Sequence, residues 1–242
     1  LDITTLQMMD QSSVNFCTRR TDLAQDAKIN WYSGLFGAML SRYKIEYFLN
    51  GPGSSCNDSE VIFGNNEQSF DIQTNVTHAS PSTEGRVVEK SILRNKSKSL
   101  FKGMIRIEKN ASKSNSFLSS RSILLDKDAK SDAIPGLQIL TNDVKATHSA
   151  SVAQIDEEQL FYLNTRCLSY AEAERTIIEG FLEPLSRKMS FQVRAWIAYL
   201  IESKWENKEL SINTDEELAK FVEIEETRYN ENAEIEQHYK YR

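Results

Sequence analysis

The side chains of this 242-residue protein suited to metal, nucleophilic or acid–base work are three histidines, three cysteines and a scatter of carboxylates. Their spacing limits what they can do. His78, His148 and His238 stand far apart, and Cys17, Cys56 and Cys167 show neither CxxC spacing nor a neighbouring histidine, so the chain spells out no local zinc site and no disulfide framework. Such cysteine usage fits a reducing compartment, and a cytoplasmic address is expected. No glycine-rich phosphate loop, GxSxG elbow or HExxH helix occurs. Asp126, Asp128, Asp132 and Asp143 fall near expected strand ends. In a β-helix lyase or glycosidase such groups would bind calcium or act as acid and base; the plainer reading is that they are turn residues bonding their own backbone.

His148 is the most conspicuous of these groups. It stands among Ala, Thr and Ser in "NDVKATHSASVAQIDEEQLFYL" (142–163), just before a strong helix start. By itself it reads as a structural histidine bonded to a backbone carbonyl, since a lone His lacks the partner that nucleophilic or metal chemistry demands.

The elements that must position these groups show two periods. From about residue 28 to 155, alternation recurs: Tyr43, Ile45, Tyr47 and Leu49; then Phe70, Ile72 and Val76; then Phe101, Ile105 and Ile107; and Leu137 and Ile139 opening "LQILTNDV". Period two means strands with one buried face. Breaks such as "NGPGSSCND", "GNNEQ", "SPSTEG", "RNKSKS" and "KNASKSN" supply the Asn, Ser and Gly of tight turns. A barrel, a sandwich and a solenoid all satisfy this pattern, although strand-plus-turn units of similar composition favour the solenoid.

At Ile155 the period changes. Asp156 with Gln159 forms a capping-box pattern, with Ile155 and Leu160 at the staple positions. Ser169 with Glu172 opens a second helix, in which Ala173, Ile177, Phe181 and Leu185 share a face until Pro184 kinks or ends it. Val193, Ile197, Leu200 and Ile201 mark a third helix, and Thr214 with Glu217 caps a fourth. The expected organisation is a mainly β body over 1–154, a helical domain over 155–187 and an acidic helical extension over 188–242.

Charge and hydropathy exclude whole classes of function. Of the net −6, the excess lies in residues 202–242, with 12 acidic and 6 basic side chains; residues 1–201 are balanced at 23 of each. That distribution leaves no basic stripe for a nucleic-acid backbone, and no apolar run approaches the roughly 20 residues of a membrane span. The start, Leu1-Asp2-Ile3, lacks an initiator Met or a leader and reads as a fragment or processed product whose amino-terminal portion is absent. A secreted β-helix enzyme acting on polysaccharide is the alternative from another class. It would need a leader and a clustered Asp/Arg/Lys site, and neither is visible.

Residues 99–182 carry an ordered series of motifs: Phe101-Lys102-Gly103, Leu124-Leu125, Pro135, Leu137-Gln138-Ile139, Asp143-Val144-Lys145, His148, Gln159-Leu160-Phe161-Tyr162 and Arg166. This series resembles the SufB/SufD family of iron–sulfur cluster assembly proteins. "INWYSGLFG" (29–37) and "THASPST" (77–83) extend the likeness over most of residues 25–185. The resemblance implies a right-handed parallel β-helix followed by a C-terminal helical domain. It also implies a non-catalytic scaffold that pairs with a SufB-like subunit, or with a second copy of itself, and docks a SufC-like ATPase. Ala129, where SufB-like chains have a cysteine, and Ser149, where they have Glu, make the chain similar to the SufD-like branch.

On that resemblance His148 lies at the subunit interface as an iron ligand toward a transient iron–sulfur cluster, its companion ligands being on the other subunit. A neutral imidazole suits iron. The docking surface for the ATPase would be Gln159, Leu160, Phe161, Tyr162, Arg166 and Phe181. Asn142 stands where the family commonly has Asp, Ser149 where it has Gly, and Cys167 where Gly usually ends the first helix in a left-handed cap.

Overall fold

The computed structural model describes residues 1–186, 189–206 and 208, with scattered positions between 219 and 227. Its strands are Asp2–Gln7 (β1), Val14–Leu23 (β2), Lys28–Leu35 (β3), Leu40–Leu49 (β4), Ser55–Gly64 (β5), Ser69–His78 (β6), Glu84–Leu93 (β7), Lys98–Ile107 (β8), Asn115–Leu124 (β9), Lys130–Ile139 (β10) and Lys145–Gln154 (β11). Three helices follow: Glu157–Thr165 (α1), Tyr170–Ser186 (α2) and Phe191–Trp205 (α3). The chain forms two compact units, residues 1–179 and the part from Gly180 onward.

Every strand pairs in parallel with the strand two positions on. One sheet therefore reads β1-β3-β5-β7-β9-β11 and the other β10-β8-β6-β4-β2. A chain that alternates between two sheets and returns one place further along each time is a parallel β-helix. The alternating residues build its interior: Tyr43, Ile45, Tyr47 and Leu49 from β4, Phe70, Ile72 and Val76 from β6, and Phe101, Ile105 and Ile107 from β8 are buried in one core cluster. Each coil thus covers the apolar row of the next, which is how a repeat too small to fold alone gains a core.

Turn chemistry sets the coil period. Asp26, Ser82 and Lys113 take left-handed backbone angles at the same corner as Gly53, and Ala38, Asn66 and Asn95 do so at the other corner. These corners stack by hydrogen bonds. Asp26 N–H donates to Pro52 O at 2.9 Å, Ser82 N–H to Ser112 O at 2.9 Å, and Lys113 N–H to Asp143 O at 2.6 Å. Side chains extend the stack, since Asn66 N–H donates to Asn95 Oδ1 at 3.1 Å and Asn95 N–H to Asp126 Oδ2 at 2.6 Å. The Asp126 carboxylate and the Asp143 backbone carbonyl are thereby engaged in turn contacts. Gly51 belongs to the same device: a Cβ there would lie 1.9 Å from the backbone nitrogen of Gln25 in the preceding corner, so only glycine lets the two turns nest.

The structure adjusts the sequence reading in its details. Strands begin at Asp2, inside the β body expected over 1–154, with β1 and β2 preceding the alternation that is visible from residue 28. Leu137 and Ile139 close β10 and do not open a strand. α2 continues to Ser186, two residues beyond Pro184, so the proline does not end it. The Thr214–Glu217 cap lies outside the described residues.

Helix starts follow their signals. Asp156 accepts from Glu158 N–H at 2.9 Å, and Leu160 is buried below it. Ser169 and Glu172 close a reciprocal box, Ser169 N–H donating to Glu172 Oε2 at 2.7 Å and Glu172 N–H to Ser169 Oγ at 3.4 Å. The end of α1 carries strain: Cys167 sits at φ 67°, the left-handed position that glycine occupies without penalty. Cys167→Gly is therefore expected to stabilise the unit by about 1 kcal/mol, read as a higher denaturation midpoint. An unchanged or lower midpoint would show that the thiol compensates the strain.

Candidate functional site

The coil stack ends at β10 and β11, each an edge strand of its sheet. Lys145 N–H donates to Ser114 O at 3.0 Å. In a parallel ladder successive residues face opposite neighbours, so the odd positions of β11 bond β9 while the N–H groups of Ala146, His148, Ala150 and Val152 face the open edge. The side chains of these same four residues align with the inward row of β9, where Ser116, Leu118, Ser120 and Ser122 are buried. No further coil covers them, and every residue of β11 except Ala146 is exposed.

His148 thus faces the interior direction, in register with Leu118, yet lies in the open. Its imidazole makes no hydrogen bond with any described residue, which removes the carbonyl-bonded reading. Ser149 beside it donates from Oγ to Ser119 Oγ at 3.0 Å. The structural histidine of this chain is His78: Nδ1 lies 2.8 Å from Thr83 Oγ1 and Nε2 3.0 Å from Ser116 Oγ. Burial pushes the His78 pKa down to about 4, so it stays neutral. Among the described residues no three His, Cys, Asp or Glu side chains converge as a metal site.

The helical candidates separate by exposure. Phe161 and Tyr162 on α1 are 70 % and 56 % exposed, unusual values for large aromatic side chains. Gln159 and Tyr162, with Asp156, Glu158, Leu163 and Ile177, line a groove of about 390 Å³. Arg166 donates from Nη2 to Tyr162 Oη at 3.2 Å and stacks on that ring, 5.2 Å from its centroid. Leu160 is buried and supports this surface from beneath. Phe181, on α2, belongs to the second unit and is half-buried.

Sequence reasoning missed a set of carboxylates inside the β-helix. Asp58, Glu60 and Glu89 are fully buried, and burial raises the pKa of each. Arg19, nearly buried, approaches them from β2; its guanidinium donates to Ser33 Oγ at 2.7 Å and lies 4.7 Å from the Trp31 ring centroid. In "CNDSE" the inward row is Cys56, Asp58 and Glu60, and acidic residues do not announce an inward face.

A two-sheeted parallel β-helix whose last coil is exposed, followed by helices, defines the class of this protein. Comparison with known proteins gives the same class a family. The profile described as "SUF system FeS cluster assembly, SufBD core domain" matches residues 1–181. Iron–sulfur cluster assembly SufBD family proteins of Staphylococcus epidermidis, Staphylococcus haemolyticus and Staphylococcus aureus are each 28 % identical over 203 residues, covering 84 % of this chain and 44 % of theirs. The chain belongs to the SufB/SufD family of iron–sulfur cluster assembly proteins, and it spans less than half the length of these curated relatives. No helix among the described residues is long and apolar enough to cross a membrane.

Proposed function

We propose that this chain acts as a non-catalytic scaffold of the SufD-like branch in a cytoplasmic SufB–SufC–SufD type complex, where iron–sulfur clusters are built as cargo. The observation that carries this reading is the uncapped coil: an exposed strand with free N–H groups on one edge and His148 among them. Native proteins seldom leave a long edge strand uncovered, because it templates pairing with another chain. A SufB-like subunit laid along β11 would satisfy those groups and bring its own ligands to the imidazole of His148. Ligands divided between two chains can be assembled or separated by moving one chain against the other.

Ala150→Pro tests the interface. Position 150 directs its N–H to the open edge, so proline there leaves the β9 ladder intact and blocks a new one. Melting of the variant is expected to change little, while co-purification with a SufB-like chain is lost. Retention of that chain at the wild-type ratio would refute the assignment. A dimer of this chain alone, dissociated by the same change, would place a second copy on the edge.

The ATPase-docking role falls to the helical domain, 155–187, with Gln159, Phe161, Tyr162 and Arg166 on its surface, Leu160 beneath them and Phe181 on α2. Exposed aromatics beside an arginine are the residue types that dominate binding energy when a partner covers them. Truncating Phe161 and Tyr162 together to alanine is expected to weaken binding of a SufC-like ATPase by about 2 kcal/mol or more, measured by calorimetry, with the fold unchanged. Unaltered affinity would move the docking site elsewhere.

A further inference from the structure

Strand register stacks Ser33, Glu60, Glu89, Ser120 and Ala150 in consecutive coils of one sheet, with Asp58 on the same strand and face as Glu60. Parallel strands lie about 4.8 Å apart, so Glu60 and Glu89 are immediate neighbours along the axis. Their partners are few. Thr74 Oγ donates to Glu60 Oε1 at 3.3 Å, and Ser120 Oγ to Glu89 Oε2 at 2.5 Å. Both oxygens of Asp58, Glu60 Oε2, Glu89 Oε1 and the buried Tyr47 hydroxyl that faces Asp58 make no hydrogen bond of ordinary length.

The remaining titratable groups facing this cluster are Arg19 and, behind it, Cys17 from β2, Tyr43 and Tyr47 from β4, and Cys56 from β5. β6 contributes His78, on the same buried face as Thr74 and kept neutral by burial, β3, β8 and β9 contribute none, and Lys90 on β7 points to the opposite face from Glu89. Among the described residues Arg19 is therefore the one cation facing the three carboxyls. Three buried anions with orphaned oxygens need further positive charge, and only a metal ion or protons could supply it. A metal requires several ligands converging on one point, which these side chains do not do.

We infer that Asp58, Glu60 and Glu89 form one buried acid site that holds protons in the folded protein at neutral pH, making the coil stack a pH-sensitive device that tightens on acidification and loosens as pH rises. The electrostatics agree. Desolvation pushes Asp58 up to about 6 and Glu89 up to about 7, and Glu60 is raised by desolvation and then by the charges of Asp58 and Glu89, so at neutral pH the protons rest mainly on the two glutamates. Groups whose folded pKa is raised stabilise fully below their unfolded values, and that stability is lost as pH rises through the folded ones. Glu89 pairs in register with Ser120 and Ser120 with Ala150, so the acid column ends two coils below the open edge that carries His148.

Two groups titrate with the opposite sign. His78, with its pKa lowered to about 4, makes stability rise with pH up to about 6.5, and Lys204 on α3, lowered by burial to about 7, does so above that value. The test is therefore a difference between the wild-type chain and Glu89→Gln from pH 6.5 to 8, which cancels both. Wild type is expected to lose melting temperature relative to the variant as pH rises. At pH 7 its unfolding should release up to about one proton more, read from calorimetric enthalpies in buffers of different ionisation heat. Glu60→Gln and Asp58→Asn report on the same site if Glu89→Gln fails to fold. Parallel melting curves, with equal proton release, would overturn the inference. So would recovery of the alkaline loss by Mn2+ with reversal by EDTA, because the cluster would then be a cation site.

Discussion

Phe101→Ala is expected to destabilise the β-helix by about 3–5 kcal/mol, the scale on which buried aromatic truncations act. Phe101 is 1 % exposed and sits between Ile72 of β6 and Ala133 of β10 in the ladder. Its ring fills space left by a glycine: a Cβ on Gly103 would stand 2.8 Å from Phe101 Cε1 and 2.3 Å from Leu118 Cδ1. The Phe-Lys-Gly motif is therefore a packing unit, with the large ring and the missing side chain two residues apart on one inward face. Removing the ring opens a cavity that stacked strands close poorly, since each coil is held by the next on both sides. Chemical denaturation followed by far-UV circular dichroism measures the effect. A loss below about 1 kcal/mol would mean that the coils slide together and that the interior is less tightly packed than the geometry implies. Gly103→Ala should also destabilise, by overpacking against Leu118 and Phe101, by about 1–3 kcal/mol.

His148→Ala should separate stability from assembly. The imidazole is exposed, on an edge strand, and without a hydrogen bond, so its loss leaves neither a cavity nor an unsatisfied group. Stability should stay within about 0.5 kcal/mol of wild type. Cluster yield in a reconstituted complex with SufB-like and SufC-like chains should fall by about tenfold or more, the scale on which losing even a ligand's supporting partner acts. Both quantities are to be measured on one preparation. Normal cluster yield per folded complex would sink the ligand role, whatever happens to the melting temperature. His78→Ala is the contrast: it removes the partner of Thr83 and Ser116 inside the body and should cost about 1–3 kcal/mol.

The strands that could be read directly were those with one apolar and one polar face. β4, β6 and β8 bury every second residue, so Tyr43, Phe70 and Phe101 marked their inward rows without any structure. β5 and β7 gave no such signal. From Asp58 to Gly64 and from Glu89 to Leu93 both faces are buried, and the inward positions include carboxylates. A strand buried on both sides loses its alternation, and a buried acid looks from its identity like a solvated one. β1 and β2 were not read as strands because exposed apolar residues such as Phe16 break the alternation at the end of the stack.

Local chemistry, by contrast, was legible wherever the interaction spans few residues. The Asp156 and Ser169 helix starts and the turn corners rich in Asn and Ser depend on backbone groups within a few residues, while the ordered motifs from Phe101 to Arg166 pointed to the family and, through it, to the left-handed position now held by Cys167. What the amino-acid sequence determined alone is therefore the two-period organisation, the turns and the kinship. The tertiary structure decided which solenoid register sets Glu60 beside Glu89, and that His148 lies in the inward row yet uncovered at an open edge. Those facts depend on contacts between residues about thirty positions apart. Side-chain identity specifies which face a residue prefers, but only the stacking of coils determines what stands across from it.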